Sequence, residues 1–132
     1  MSKNDVRIAL LDMNNNHPNQ GMRNIKELSK TFQKQSDDNV SVEIFDVRYK
    51  NEMPNMADFD IFLSSGGPGN PHPEGHEWEN KYAGFLDQIW KHNQVNEQKK
   101  YAFLVCHSFQ LAVIHFGIAN VCKRKSYSFG VM

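Results

Sequence analysis

YAFLVCHSFQLAVIHFG, residues 101–117, begins as a run of strand formers and ends with helical spacing. Cys106 sits at the join, with no loop between the two patterns. A strand that enters a helix this abruptly belongs to an α/β fold, in which apolar strands alternate with covering helices. The expected strand is YAFLVC, buried, and the expected helix runs from Ser108 to about Ile118.

The pattern repeats outward from this stretch. VRIALLDM (6–13) reads as a buried strand, followed by the polar turn NNNHPNQG. Met22, Ile25, Leu28 and Phe32 recur at helical spacing within 22–35. VSVEIFDVR (40–48) reads as a second strand and DIFLS (60–64) as a third. SGGPGNPHPEG (65–75) is too rich in glycine and proline to be regular. Trp78, Tyr82, Phe85, Leu86, Ile89 and Trp90 then form a strong helical stripe, expected to be core with one edge open to a partner. VCKRK (121–125) and SYSFGVM (126–132) read as two further short strands. This order predicts an open, mostly parallel sheet with helices on both faces. The chain is one domain's worth of material. Because SYSFGVM ends on apolar residues with no closing helix, residues 1–132 are expected to be the N-terminal part of a longer, C-terminally truncated domain.

Charge and composition exclude several functions. Fifteen basic and fifteen acidic residues cancel, which leaves no electrostatic footprint for nucleic acid or an anionic membrane. No apolar run is long enough to span a bilayer, and MSKNDVR lacks a secretory apolar segment. Cys106 and Cys122 make neither a disulfide framework nor a zinc pattern. The expectation is a cytoplasmic protein without metal or cofactor.

Two readings of Cys106 are open. A free cysteine is a small hydrophobe that often packs in a core. At a strand-to-helix bend it is instead displayed as a nucleophile. The amides that begin the helix favour an anion there, and the following N–H can serve a developing oxyanion. Cys106 also falls at the carboxyl end of a strand, where open parallel sheets place their sites. Gln110 lies one helical turn on, on the side of the sulfur. A second strand end carries SSGGPG (64–69), whose bare backbone can approach a ligand closely.

A strand ending in S-G-G-P-G, followed by a later strand ending in C-x-x-x-Q, resembles the class I (triad) glutamine amidotransferases, in particular the short GMP-synthase-like amidotransferase domains. The resemblance covers nearly the whole chain, in the family order. It implies a flavodoxin-like fold and a glutaminase half-reaction, in which the cysteine attacks the glutamine carboxamide and ammonia passes to an acceptor. By this resemblance Cys106 is the nucleophile, the backbone N–H groups of Gly67 and His107 form the oxyanion hole, and Gly66 and Gln110 help to hold the substrate. The implied partners are glutamine and an ammonia-accepting synthetase domain or subunit. A truncated sheet edge favours pairing into a homo-oligomer. Leu104 and Ser108 stand where the family elbow has glycines. Ser108 is small enough to fit and could cap the helix, whereas Leu104 demands more room. The family's catalytic His and Glu come from a later H-x-E segment, which this sequence does not contain. The chain as given is therefore expected to be inactive, and the longer protein active.

Other histidines are weighed against that reading. His72-Pro73-Glu74 spells H-P-E but precedes the cysteine, within the proline-rich loop. His72 and His76 have an i, i+4 spacing, but the intervening proline and glycine oppose a helix. Exposed loop histidines are expected. A backbone role is expected for His107, partial burial for His115, a rim position for Asn14 to Asn16, and packing for Cys122. Two alternatives stand beside the amidotransferase: a non-catalytic binding or regulatory module of the same fold, and a cysteine hydrolase of γ-glutamyl substrates.

Overall fold

The structure, a computed structural model, describes residues 2–126. Eight-residue strand β1 (Asp5–Asp12) leads into helix α1 (Gln20–Gln35) and strand β2 (Asn39–Asp46). After a 3-10 turn at Met56–Asp58 come β3 (Ile61–Ser64), α2 (Glu77–Val95), β4 (Tyr101–Leu104) and α3 (His107–His115). The four strands form one sheet in the order β2-β1-β3-β4. All three pairings are parallel. This is the expected α/β open sheet.

The two faces follow from the two-residue period of a strand. Ala9, Leu11 and Phe62 point toward α2 and α3, where Trp78, Tyr82, Phe85, Leu86, Ile89 and Ala112 close the larger core. The Phe62 and Phe85 rings meet edge-on at 4.9 Å. Ile8 and Leu10 point the other way, onto Met22 and Ile25 of α1. Because β1 is central and covered on both sides, it reads as a continuous apolar run. Local chemistry sets the helix starts. The Asn19 side chain accepts from the Gly21 and Met22 amides at the start of α1. At the start of α2 the Glu79 carboxylate accepts from the amides of Glu74, Gly75 and His76. Burial alone would raise the Glu79 pKa, but these amide bonds outweigh it and hold the carboxyl below its ordinary range.

Several expectations are corrected. YAFL is not a buried strand: among the described residues β4 is the sheet edge, with Tyr101 and Phe103 about two-thirds exposed. In α1 only Met22 and Ile25 of the apolar stripe are covered, while Leu28 and Phe32 face outward. The α2 stripe is core with one open edge, as expected: Trp78, Tyr82, Phe85, Leu86 and Ile89 are buried and Trp90 is exposed. VCKRK forms no strand. Of SYSFGVM, residues 127–132 lie outside the described residues. No helix among the described residues is long and apolar enough to cross a membrane.

All four strands point their carboxyl ends to one edge of the sheet. β1 feeds β2 on one side and β3 lies on the other, so the strand order reverses between β1 and β3. Open α/β sheets bind ligands at such a switch point. Met13 and Asn14 extend from β1 there, and SSGGPG extends from β3.

Candidate active site

Cys106 is the residue just before α3, with φ 50° and ψ −106°. A β-carbon makes positive φ unfavourable, so the bend holds Cys106 in a strained conformation. The thiol does not cap the helix, and the residue is exposed. The sulfur is thus displayed at the strand-to-helix junction rather than sealed in the core.

The residues of Ser64-Ser65-Gly66-Gly67 each meet a different neighbour. Tyr82 Oη donates to Ser64 Oγ at 3.0 Å. Ser64 Oγ lies 2.7 Å from Ser108 Oγ, and Ser108 donates onward to the Ser65 carbonyl. This buried chain ties α2, the end of β3 and the first turn of α3 together. Ser108 therefore fits at its glycine-like position by using its hydroxyl inward, and does not act as a cap. Burial pushes the Tyr82 phenol pKa up, so the hydroxyl stays a donor. Ser65 Oγ accepts from the Met13 amide at 2.9 Å and from Asn14 Nδ2 at 3.3 Å, and donates to the Gly66 carbonyl. Ser65 thus joins the ends of β1 and β3. Asn14 is buried in this joint and not on a rim, while Asn15 and Asn16 are exposed at positive φ.

The glycines set the spacing. A β-carbon on Gly66 would lie 3.2 Å from Cys106 Cβ, so the loop runs directly beside the bend. A β-carbon on Gly67 would lie 2.0 Å from the Met13 carbonyl oxygen, a distance no side chain can occupy. No backbone carbonyl of the described residues accepts from the Gly67 or His107 amide. Gln110 lies one turn beyond, its backbone N–H donating to the Cys106 carbonyl at 3.0 Å, and the residue is half-buried. Leu104 finds room by packing against the larger core.

His107 departs from a purely backbone role. Its ring is buried, with 2% exposure, and neither ring nitrogen has a hydrogen-bond partner among the described residues. The ring meets the Trp78 ring edge at 6.4 Å. Burial and, secondarily, the Arg48 charge hold its pKa below the ordinary histidine value. The other histidines pair elsewhere. His72 Nε2 meets the Val121 carbonyl, His76 lies 3.4 Å from Glu74, and His92 meets the Gln98 carbonyl. His115 pairs with Asp87 at 2.8 Å, and its side chain is partly covered, with 28% exposure. None of these contacts involves Cys106. Cys122 is exposed, contrary to a packing role. Among the described residues no group of three or more His, Cys, Asp or Glu could hold a metal ion.

One site residue escaped the sequence reading. Arg48, just past β2, donates through Nη1 to the Met13 carbonyl at 3.1 Å and to the Pro68 carbonyl. Its guanidinium lies 4.8 Å over the Trp78 ring. In sequence it is one arginine ending an alternating strand, and no local signal separates it from a solvated charge. No family model matches the chain, and no curated protein or solved structure matches it.

Proposed function

We propose that Cys106 is the nucleophile of a glutamine amidotransferase of the class I type. The observation that carries the reading is the exposed thiol on a strained bend before α3, with the Gly66 backbone directly beside it. In this reading the thiolate attacks the carboxamide carbon of glutamine. The Gly67 and His107 amides hold the negative oxygen as it forms. The C–N bond breaks, ammonia leaves with an added proton, and water hydrolyses the γ-glutamyl thioester to glutamate, restoring the thiol. Gly66 and Gln110 line the space for the substrate. The ammonia acceptor belongs to a partner domain or subunit.

The test is covalent. 6-Diazo-5-oxo-norleucine, a glutamine-mimicking electrophile, is expected to alkylate Cys106 stoichiometrically and to leave the exposed Cys122 unlabelled. Cys106→Ser is expected to remove the label and to stop glutamate release. Equal labelling of both cysteines, or glutamate release unchanged by Cys106→Ser, overturns the reading. A second reading, a non-catalytic binding module of the same fold, draws support from the histidine contacts above, none of which reaches Cys106. Absence of labelling in a folded protein would favour it.

A further inference from the structure

We infer that Arg48 is a positioning residue, a strut that sets the Gly67 and His107 amides at one spacing around Cys106; the inference rests on the nucleophile reading above. The argument begins with what the guanidinium touches. Nη1 bridges the carbonyls of Met13 and Pro68, so one nitrogen pins the loop after β3 to the end of β1. Gly67 is caught inside that bridge, its β-carbon position 2.0 Å from the Met13 carbonyl oxygen and 3.2 Å from Arg48 Nη1. The other side of the strut is aromatic. The guanidinium lies over Trp78 of α2, and Trp78 in turn meets the ring of His107, the first residue of α3. One side chain therefore reaches the oxyanion donor of the β3 loop directly and that of α3 through a single ring.

The choice of arginine has a cost that packing alone does not require. The direct partners of the guanidinium are two carbonyls and a ring. Arg48 is half-buried, and its Nε is buried without a partner among the described residues. Burial draws its pKa down. A neutral apolar side chain would fill the gap without that desolvation, but it could not bridge two carbonyls while placing a cation over the Trp78 ring. What the arginine supplies is a fixed geometry for the loop, in the place where a misplacement of about 1 Å in a catalytic group costs rate heavily.

The experiment compares two reagents on the full chain. Cys106 labelling is followed by peptide mass spectrometry with 6-diazo-5-oxo-norleucine, whose carbonyl uses the oxyanion donors, and with iodoacetamide, which needs none. Arg48→Met is expected to slow the first by at least about tenfold and to leave the second within about twofold. Arg48→Lys, which keeps the charge and a donor, recovers part of the loss. Hydrogen exchange at the Met13 amide, which donates to Ser65 Oγ across the joint that Arg48 pins, is expected to quicken by about tenfold or more in Arg48→Met, as the loop loosens. If both reagents slow together, Arg48 acts on the thiol and not on the loop, and the inference is overturned. It is equally overturned if neither reagent rate nor Met13 exchange changes in a folded variant. If the unaltered protein takes iodoacetamide at Cys106 but not the glutamine mimic, the nucleophile reading fails, and Met13 exchange alone then decides whether Arg48 holds the loop.

Discussion

Replacing Gly67 by alanine tests the spacing of the site most directly. The new methyl carbon would lie 2.0 Å from the Met13 carbonyl oxygen and 2.9 Å from its carbon. A close C···O contact is about 3.3 Å, so the loop and the end of β1 must separate by about 1.3 Å. Met13 cannot easily retreat. It is fully buried, its amide donates to Ser65 Oγ, and its carbonyl accepts from Arg48. Gly67 is not among the residues with positive φ, so alanine carries no backbone penalty and the cost is steric. Overpacking of this kind costs about 3 kcal/mol, offset by about 1 kcal/mol from the stiffer unfolded chain. The net loss of about 2 kcal/mol lowers Tm by roughly 7 °C for a chain of this length. Displacing the Gly67 amide by about 1 Å should slow Cys106 labelling by the glutamine mimic about a hundredfold. Gly66→Ala is the matched control. Its methyl would lie 3.2 Å from Cys106 Cβ and at ordinary contact, 3.7 Å, from the Val105 carbonyl oxygen, so Tm should hold while labelling falls. Thermal melts and labelling kinetics on both variants decide the matter. A Gly67→Ala protein with Tm within about 2 °C and labelling within about threefold of the parent would refute the reasoning.

Three further outcomes are expected. Cys106→Gly should be more stable than Cys106→Ala by about 1 kcal/mol in denaturant melts, because glycine accepts φ 50° and ψ −106° without strain; equal stability would mean the bend stores none. Ser108→Ala should cost about 2 kcal/mol, since it leaves the buried Ser64 hydroxyl and Ser65 carbonyl without their shared partner, while Ser108→Gly should cost no less. His107, whose pKa is lowered on folding, binds its proton more readily in the unfolded chain. The stability it contributes is complete above the unfolded value of about 6.5 and falls as pH drops below it, by up to about 1.4 kcal/mol per pH unit until the folded pKa is reached. His107→Leu should flatten urea-melt stability between about pH 6.5 and 5, and an unchanged slope would show that another group controls it.

How much of this was legible beforehand can be read from single residues. The bend at Cys106 was legible because its ingredients are chain neighbours: a strand former run, a helix former run and no residues between. SSGGPG was legible for the same reason, as a glycine-rich end to an apolar strand. The exposure of Phe103 was not, because an apolar strand reads alike whether it is central or at the edge. Nor was the chain from Tyr82 to Ser64 to Ser108, whose members are up to 44 residues apart.

The amino-acid order by itself determined the four strands and three helices of the described sheet, though not that VCKRK forms no strand, and that a thiol stands at the junction of the last pair, because periodicity and a tight turn are local properties of the backbone. Tertiary structure decided which strand lies at the edge, which hydroxyls close on one another, and that Arg48 reaches across the switch point to the Gly67 loop. Those choices depend on strand order and on contacts between distant residues, and neither leaves a mark at any one position of the chain.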